Sequence, residues 1–311
     1  MSREDFEREI SDRRCSNSAQ PIEDTASAAS RRKPDWLKVR AGGGERFHEV
    51  EELLKEYHLH TVCREANCPN RGECYSQGTA TFLIMGPHCA RNCRFCNVTH
   101  GALQPLDPEE PSRIARAVSI LGLRHAVITS VTRDDLADGG AAHFAAVIKS
   151  IRNLKSDITV EVLTPDFRGD LDALEIVLAQ RPDVFNHNVE TVPRLYPQVR
   201  PQADYLRSLA VLRASSGRAG ILVKSGLMLG LGEDKKELQK LFIDLSRQGV
   251  QLLTIGQYLA PSRNHFPVAK YYAPEEFEKI AALARRSGIK EVFAGPLVRS
   301  SYHAAEQFYA Q

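Results

Sequence analysis

From residue 81 onward, short apolar runs alternate with longer amphipathic stretches. The runs cover 81–85, 126–131, 158–163, 184–188, 220–229, 252–259 and 291–294. Each is brief, and the turn-forming residues Gly, Pro, Asn and Asp recur between them, which reads as buried strand. Between them lie 112–121, 141–154, 171–178, 203–214, 235–247 and 274–286, whose apolar residues recur at helical spacing. A βαβα series predicts a parallel α/β sheet covered by helices. Recurrence roughly every 25 to 45 residues suits a TIM-like parallel β/α barrel, complete or partial. A doubly wound sheet is the competing architecture. The barrel is favoured because no G-x-G-x-x-G turn follows the first run.

One more helix is expected ahead of the series, over 46–57, with Phe47, Val50, Leu53, Leu54 and Tyr57 on one face. It follows Pro34-Asp35-Trp36-Leu37-Lys38 and a flexible Ala41-Gly42-Gly43-Gly44. It leads into a segment rich in Asn, Pro and Gly, expected to be loop. Residues 1–33 mix Ser, Ala, Arg and Glu with few large apolar side chains and read as a disordered tail. The organisation expected is therefore a tail over 1–33, an extension over 34–78, a barrel over 79–295 and a C-terminal segment over 296–311.

Composition narrows the function classes. The 311 residues carry 41 Lys and Arg against 39 Asp and Glu, so net charge gives no nucleic-acid signal. Hydrophobic content of 42% and charged content of 26% are those of a soluble enzyme. No run approaches the roughly 20 apolar residues of a membrane span. The first residues hold neither the apolar core of a signal peptide nor the acid-poor composition of a mitochondrial presequence, so the cytoplasm is expected.

Candidate chemistry is concentrated in cysteine. Six of seven cysteines form two triplets, Cys63-x4-Cys68-x5-Cys74 and Cys89-x3-Cys93-x2-Cys96, and Cys15 is left as a free thiol in the tail. An odd count without a secretory signal fits disulfides poorly. Structural zinc takes four ligands, usually in two close pairs, although His88 or His100 beside the second triplet leaves a Cys3His site open. Cys93-Arg94-Phe95-Cys96 is formally a redox C-x-x-C, but Cys89 nearby favours a ligand set. Three thiolates are one short of the usual iron–sulfur complement, and an iron without a thiolate takes another ligand. Two such clusters are the favoured reading.

Polar residues gather where the strands are expected to end. Ser130 to Asp135 close the second strand, Thr164-Pro165-Asp166 the third and Asn186-His187-Asn188-Val189-Glu190-Thr191 the fourth. Ser225 and Gly226 close the fifth, Gln257-Tyr258 with Asn264-His265 the sixth, and Arg299-Ser300-Ser301-Tyr302-His303 follow the last. Any one could be a cap or turn; together, on the side of the cysteines, they read as one barrel site. Gly226-x3-Gly230-x-Gly232 reads mainly as a tight strand-to-helix turn. Arg64, Arg71, Arg91 and Arg94 crowd the cysteine loops, to stabilise anionic clusters, to meet an acidic partner, or simply to face water.

The second triplet, directly after the first barrel strand and with Phe95 before its last cysteine, resembles the motif of the radical S-adenosylmethionine (SAM) superfamily. The first triplet and the terminal Arg299-Ser300-Ser301-Tyr302 make the chain similar to the lipoyl synthase family, over about Trp36 to Ala304. Also similar are Pro34-x-Trp36-Leu37-Lys38, Ser130-Val131-x-Arg133-Asp134-Asp135-Leu136, Asn186-His187-Asn188-x-Glu190-Thr191, Tyr196-Pro197-x-Val199-Arg200-Pro201 and Gly256-Gln257-Tyr258-Leu259. The resemblance implies that Cys89, Cys93 and Cys96 hold a [4Fe–4S] cluster that cleaves SAM to a 5′-deoxyadenosyl radical. It implies an auxiliary [4Fe–4S] cluster on Cys63, Cys68 and Cys74, with Ser300 as fourth ligand, and makes that cluster the sulfur donor. Ser301 is the rival ligand, and an N-cap of a helix over 302–308 is the other role for Ser300. SAM would be held by Glu190 and Arg200 at ribose and carboxylate, by Ser130 and Asp134 at the amine, and beside Phe95.

The implied reaction inserts two sulfurs at C6 and C8 of a protein-bound octanoyl-lysine. Implied partners are octanoylated lipoyl carrier domains (2-oxoacid dehydrogenase E2 subunits and glycine cleavage H protein). A low-potential donor such as ferredoxin or flavodoxin, and an iron–sulfur carrier to rebuild the auxiliary cluster, are implied as well. No nucleic acid or membrane is expected. Competing readings are another radical SAM enzyme with an extra cluster, or an iron–sulfur electron carrier, whose usual C-x2-C-x2-C or C-x4-C-x2-C spacings match neither triplet.

Overall fold

Buried strands packed on both faces dictate the architecture. The computed structural model describes residues 33–39, 42–154 and 157–309. The expected tail over 1–33, with Cys15, lies outside the described residues except for Lys33. Eight strands form one sheet in chain order: β1 (His60–Thr61), β2 (Thr81–Ile84), β3 (His125–Ser130), β4 (Thr159–Leu163), β5 (Val184–Asn186), β6 (Leu222–Leu229), β7 (Leu252–Gln257) and β8 (Glu291–Gly295). β2 to β8 run parallel, and β1 pairs antiparallel with β2. Their near-continuous burial is what two covered faces require. No ladder joins β8 back to β2 among the described residues, so the barrel is partial.

All seven expected barrel strands and all six covering helices form. Helices Glu110–Ile120, Ala141–Leu154, Leu171–Leu178, Tyr205–Ser215, Lys235–Arg247 and Pro274–Arg286 follow successive strands. Their starts are chemically marked: Asp170 and Asp204 accept backbone N–H groups, and Asp234 with Glu237 forms a capping box. The N-terminal helix, Glu45–Glu56, buries Phe47, Val50, Leu53 and Leu54 as its periodicity predicts.

Three local expectations are corrected. The segment of the first triplet is not all loop: Cys63 sits on helix Val62–Glu65 and Cys74 on helix Arg71–Ser76, with Cys68 between them. Thr61 supplies the missing start signal, its Oγ1 accepting from Arg64 N at 3.3 Å. The two-residue strand β1 is too short to leave a periodic trace, yet it covers the free edge of β2. The last helix spans Ala304–Tyr309, so Ser300 lies in a turn well before it and is not its N-cap.

Inside the barrel the filling is layered. At the lower end Val184, Leu222 and Leu252 pack with Phe293 and Phe308, and Tyr309 Oη meets Thr159 Oγ1 at 3.0 Å. The last helix thus plugs that end. Above it Lys224 Nζ donates to Glu161 Oε1 at 2.8 Å, and His125 Nε2 lies 3.3 Å from Glu161 Oε2. Burial works against the Glu161 carboxylate, but the Lys224 charge outweighs it and lowers its pKa. A buried pair adds little net stability, but breaking one is costly. Glu161→Ala should therefore cost about 3–5 kcal/mol by urea denaturation. Glu161→Leu with Lys224→Met, which removes both charges, should cost less; equal losses would show that the pairing is not what matters.

Candidate functional site

A cavity of about 410 Å³ opens above the C-terminal ends of the strands. Leu83, Thr129, Leu163 and Thr254, from β2, β3, β4 and β7, form its floor. Cys63 and Cys68 of the first triplet face it, and so do all three cysteines of the second. Ser300, Ser301 and Phe95 complete that part of the wall, whereas Cys74 lies outside the lining. Among the described residues no three His, Cys, Asp or Glu side chains close on one metal ion. Within each triplet the thiols still lie close enough for their charges to act on one another.

The second cysteine loop is held by its backbone. Cys89 N donates to Thr99 O at 2.8 Å, Ala90 N to Thr132 O at 2.9 Å, and Arg94 N to Val199 O at 2.9 Å. Thr132 N and Arg91 N point at Cys89 Sγ, at 3.2 and 3.4 Å. Arg91 anchors the loop from below. Its guanidinium binds both oxygens of Asp134 (2.7 and 3.0 Å) and Asp166 Oδ1 at 2.6 Å. Burial alone would raise the Asp166 carboxyl, but the Arg91 hydrogen bond and charge outweigh it and hold it at about 2. Arg91 is therefore neither exposed nor aimed at a partner, while Arg64 and Arg94 are exposed.

Burial pushes the thiols the other way. Cys63 is raised to about 11, Cys74 and Cys96 to about 12, and Cys93 is also raised, although the Arg200 charge opposes it. Such thiols stay protonated unless a cation replaces the proton, which is what iron does.

The opposite wall is polar. Glu190 sits at the ligand cavity in a left-handed conformation (φ 64°), fixed by hydrogen bonds to Gly226 O and from Met228 N. Burial raises its pKa, against the nearby Arg200 charge. Arg200 is buried, and its Nη1 donates to Asn188 O and Val189 O, both at 3.1 Å. Asn188 Nδ2 donates to Ser300 Oγ at 2.6 Å and to Glu190 Oε1 at 3.1 Å. Gly226 belongs to β6 rather than to a turn: a Cβ there would lie 2.7 Å from Asn188 Oδ1 and from Thr254 Oγ1. Gly230 and Gly232, with φ of 103° and 105°, do make the turn.

Ser130, Glu190 and Arg200 thus line the cavity as the sequence suggested, whereas Asp134 does not and is bound by Arg91 instead. Sequence reasoning assigned no role to Asp166, His187 or Asn188, although their places at strand ends mark them. Among the described residues Ser130 Oγ, Thr164 Oγ1, His187 Nε2 and Asn188 Oδ1 are buried without a hydrogen-bond partner, as is Arg200 Nε. Buried polar atoms of this kind call for a partner. Soft thiols on one side and unsatisfied polar atoms on the other fit iron–sulfur clusters beside a polar small molecule.

His187 Nδ1 donates to Thr164 O at 2.9 Å, so its Nε2 is an acceptor. Burial first, then the Arg200 charge, lowers its pKa to about 4 from the ordinary 6.5. Between those values the unfolded chain binds a proton that the folded chain refuses, so stability falls as pH drops through that window. The loss from this residue is about 3 kcal/mol. His187→Asn should flatten the pH dependence of unfolding between about 6.5 and 4. An unchanged slope would remove His187 as its source.

The sequence profile of the Radical SAM superfamily matches residues 83–245. The chain is 53% identical over 277 residues to a lipoyl synthase of Alkaliphilus metalliredigens, covering 89% of this chain and 96% of that protein. It is 56% identical over 276 residues to a lipoyl synthase of Rubrobacter xylanophilus, covering 88% and 86%. Among solved structures it is similar to HydG, a maturase of the [FeFe]-hydrogenase, with TM-score 0.54 and 17% identity over 80% of this chain and 56% of that one. It is also similar to Streptococcus suis SuiB bound to S-adenosylmethionine, with TM-score 0.53 and 12% identity over 72% and 54%. The chain spans about half of each of these two, and the likeness is one of fold.

Proposed function

Because the chain belongs to the lipoyl synthase family of radical SAM proteins, we propose that its cavity is where an octanoyl chain on a carrier lysine receives sulfur at C6 and C8. One observation carries this reading: thiols of both triplets, the Glu190 and Arg200 pair and Ser300 all face one space. When bound, one [4Fe–4S] cluster with SAM supplies a radical able to take hydrogen from an unactivated carbon, and a second cluster supplies the sulfur.

The chain's own residues bind and orient. Cys89, Cys93 and Cys96 are assigned to the first cluster. Arg200 offers a cation to the SAM carboxylate, Glu190 an acceptor to its ribose, and Ser130 its partnerless oxygen to the amine. Phe95 packs beside them. Asp134 acts through Arg91, by holding the cysteine loop. Cys63, Cys68 and Cys74 are assigned to the second cluster, with Ser300 as fourth ligand. Asn188 fixes the Ser300 oxygen, which favours it over Ser301. An alkoxide is a harder, weaker partner for iron than thiolate, so that iron is the one most easily lost, as a sulfur donor needs.

In this reading 34–78 carries the second cluster's thiols, 79–295 the radical machinery and 296–311 the serine. The substrates are lipoyl carrier domains, 2-oxoacid dehydrogenase E2 subunits and glycine cleavage H protein among them, met by Arg64 and Arg94, exposed beside Cys63 and Cys93 in sequence. Ferredoxin or flavodoxin supplies electrons, and an iron–sulfur carrier rebuilds the spent cluster. Cluster-binding thiols need a reducing compartment, which supports the cytoplasm as the site of action.

An octanoyl-lysine carrier peptide, incubated anaerobically with the reconstituted protein, SAM and a strong reductant, should gain two sulfurs by mass while 5′-deoxyadenosine forms. Deoxyadenosine without a mass gain would overturn the substrate. Cys93→Ala should abolish SAM cleavage and keep the second cluster; Cys68→Ala should keep cleavage and lose insertion. Loss of all iron in both variants would sink the two-cluster assignment. Ser300→Ala should slow insertion on the order of tenfold or more, and more than Ser301→Ala does.

A further inference from the structure

The two ends of the described chain are tied to each other across the open side of the barrel. Asn70 Nδ2 donates to Leu297 O at 2.7 Å, Tyr302 Oη donates to Glu73 Oε1 at 3.0 Å, and His303 Nε2 lies 3.3 Å from the same oxygen. Both anchor points are placed on the first triplet's own helix and turn: Asn70 stands between Cys68 and Cys74, and Glu73 directly precedes Cys74. On the other strand of the tie, Leu297 precedes Ser300 and Tyr302 follows it. The serine is therefore pinned on both sides. Asn188 holds its oxygen from the barrel wall as a third fixed point.

We propose that Asn70 and Glu73 are positioning residues, which strap the 297–303 segment across the first thiol triplet and so hold Ser300 in place over it. The inference rests on the assignment of Ser300 as a cluster ligand made above.

The two residues contribute unequally. Asn70 is 3% exposed, and although it stands at the start of helix Arg71–Ser76 its side chain caps nothing there. The Leu297 carbonyl is its amide's partner, and this half-buried acceptor would lose that partner on truncation. Glu73 is exposed, and hydrogen bonds in water's reach add little. Removing the Asn70 amide should loosen the strap about tenfold, and removing the Glu73 carboxylate about two- to threefold. Gln at position 73 keeps the acceptor oxygen and should restore most of what Ala loses.

The test uses the full chain and two readouts. In the metal-free protein, hydrogen exchange of the 297–303 amides should quicken about tenfold in Asn70→Ala and two- to threefold in Glu73→Ala. It should stay near wild type in Glu73→Gln, with the amides of β3 to β7 unchanged in all three. In reconstituted protein carrying Cys93→Ala, which leaves only the second cluster, iron loss to a chelator should quicken in the same order. Unchanged exchange, or exchange quickened equally through the barrel strands, overturns the strap. Quickened exchange with unaltered iron loss overturns the positioning role, and the Ser300 assignment fails as well only where Ser300→Ala leaves iron loss unaltered too. Unchanged exchange with iron loss that still responds to Ser300→Ala leaves that assignment standing and removes the strap alone.

Discussion

A guanidinium buried between two carboxylates is the constraint on which the site depends. Arg91 belongs to the second cysteine loop, Asp134 to the chain after β3 and Asp166 to the chain after β4. One side chain thus fixes a glycine-free, irregular loop to two neighbouring strand ends. A charge so deep needs both partners: either carboxylate alone would leave the guanidinium with unsatisfied donors in low dielectric. The fork geometry of arginine matters as well, since a lysine could not bind Asp134 through two parallel bonds while reaching Asp166. From this fixed loop follow the direction of the three thiols and the volume left between them and the polar wall.

The same principle organises the lumen below. A barrel interior of aliphatic side chains alone would be simpler to fold, yet this one carries Glu161, Lys224, His125 and Asn186 in a dry layer. Glu161 gathers them, accepting from Lys224 and Asn186 and lying 3.3 Å from His125, beneath a floor of Leu83, Thr129, Leu163 and Thr254. The last helix seals the layer from beneath through Phe308 and Tyr309. A dry floor raises the strength of every charge interaction in the cavity, Arg200 with Glu190 included.

The barrel was legible because its signals are periodic and repeated: seven apolar runs and six amphipathic helices left little room for another arrangement. The thiol triplets were legible because cysteine is scarce and its spacing specific. Less visible were contacts between residues far apart in sequence. Asp134 looked like a ligand-facing acid, and only the folded loop shows Arg91 occupying it. Gly226 looked like turn chemistry, but it is a small residue beneath Asn188 and Thr254, a matter of close approach that local pattern does not encode. The helices carrying Cys63 and Cys74 are short, and their composition is that of loops; a single threonine cap and burial of Tyr75 decide for helix.

The missing ladder between β8 and β2 has a consequence for the order in which the molecule folds. Each βα unit of the barrel makes its contacts with its immediate sequence neighbours, so the curved sheet can grow by local steps. Closure of the open side joins residues 227 positions apart, as Asn70 and Leu297 are, and gains nothing until both flanking strands are already in place. That closure is therefore expected late, after the folding transition state. Substitutions there act on how quickly the native edge comes undone and leave the rate of barrel formation largely alone.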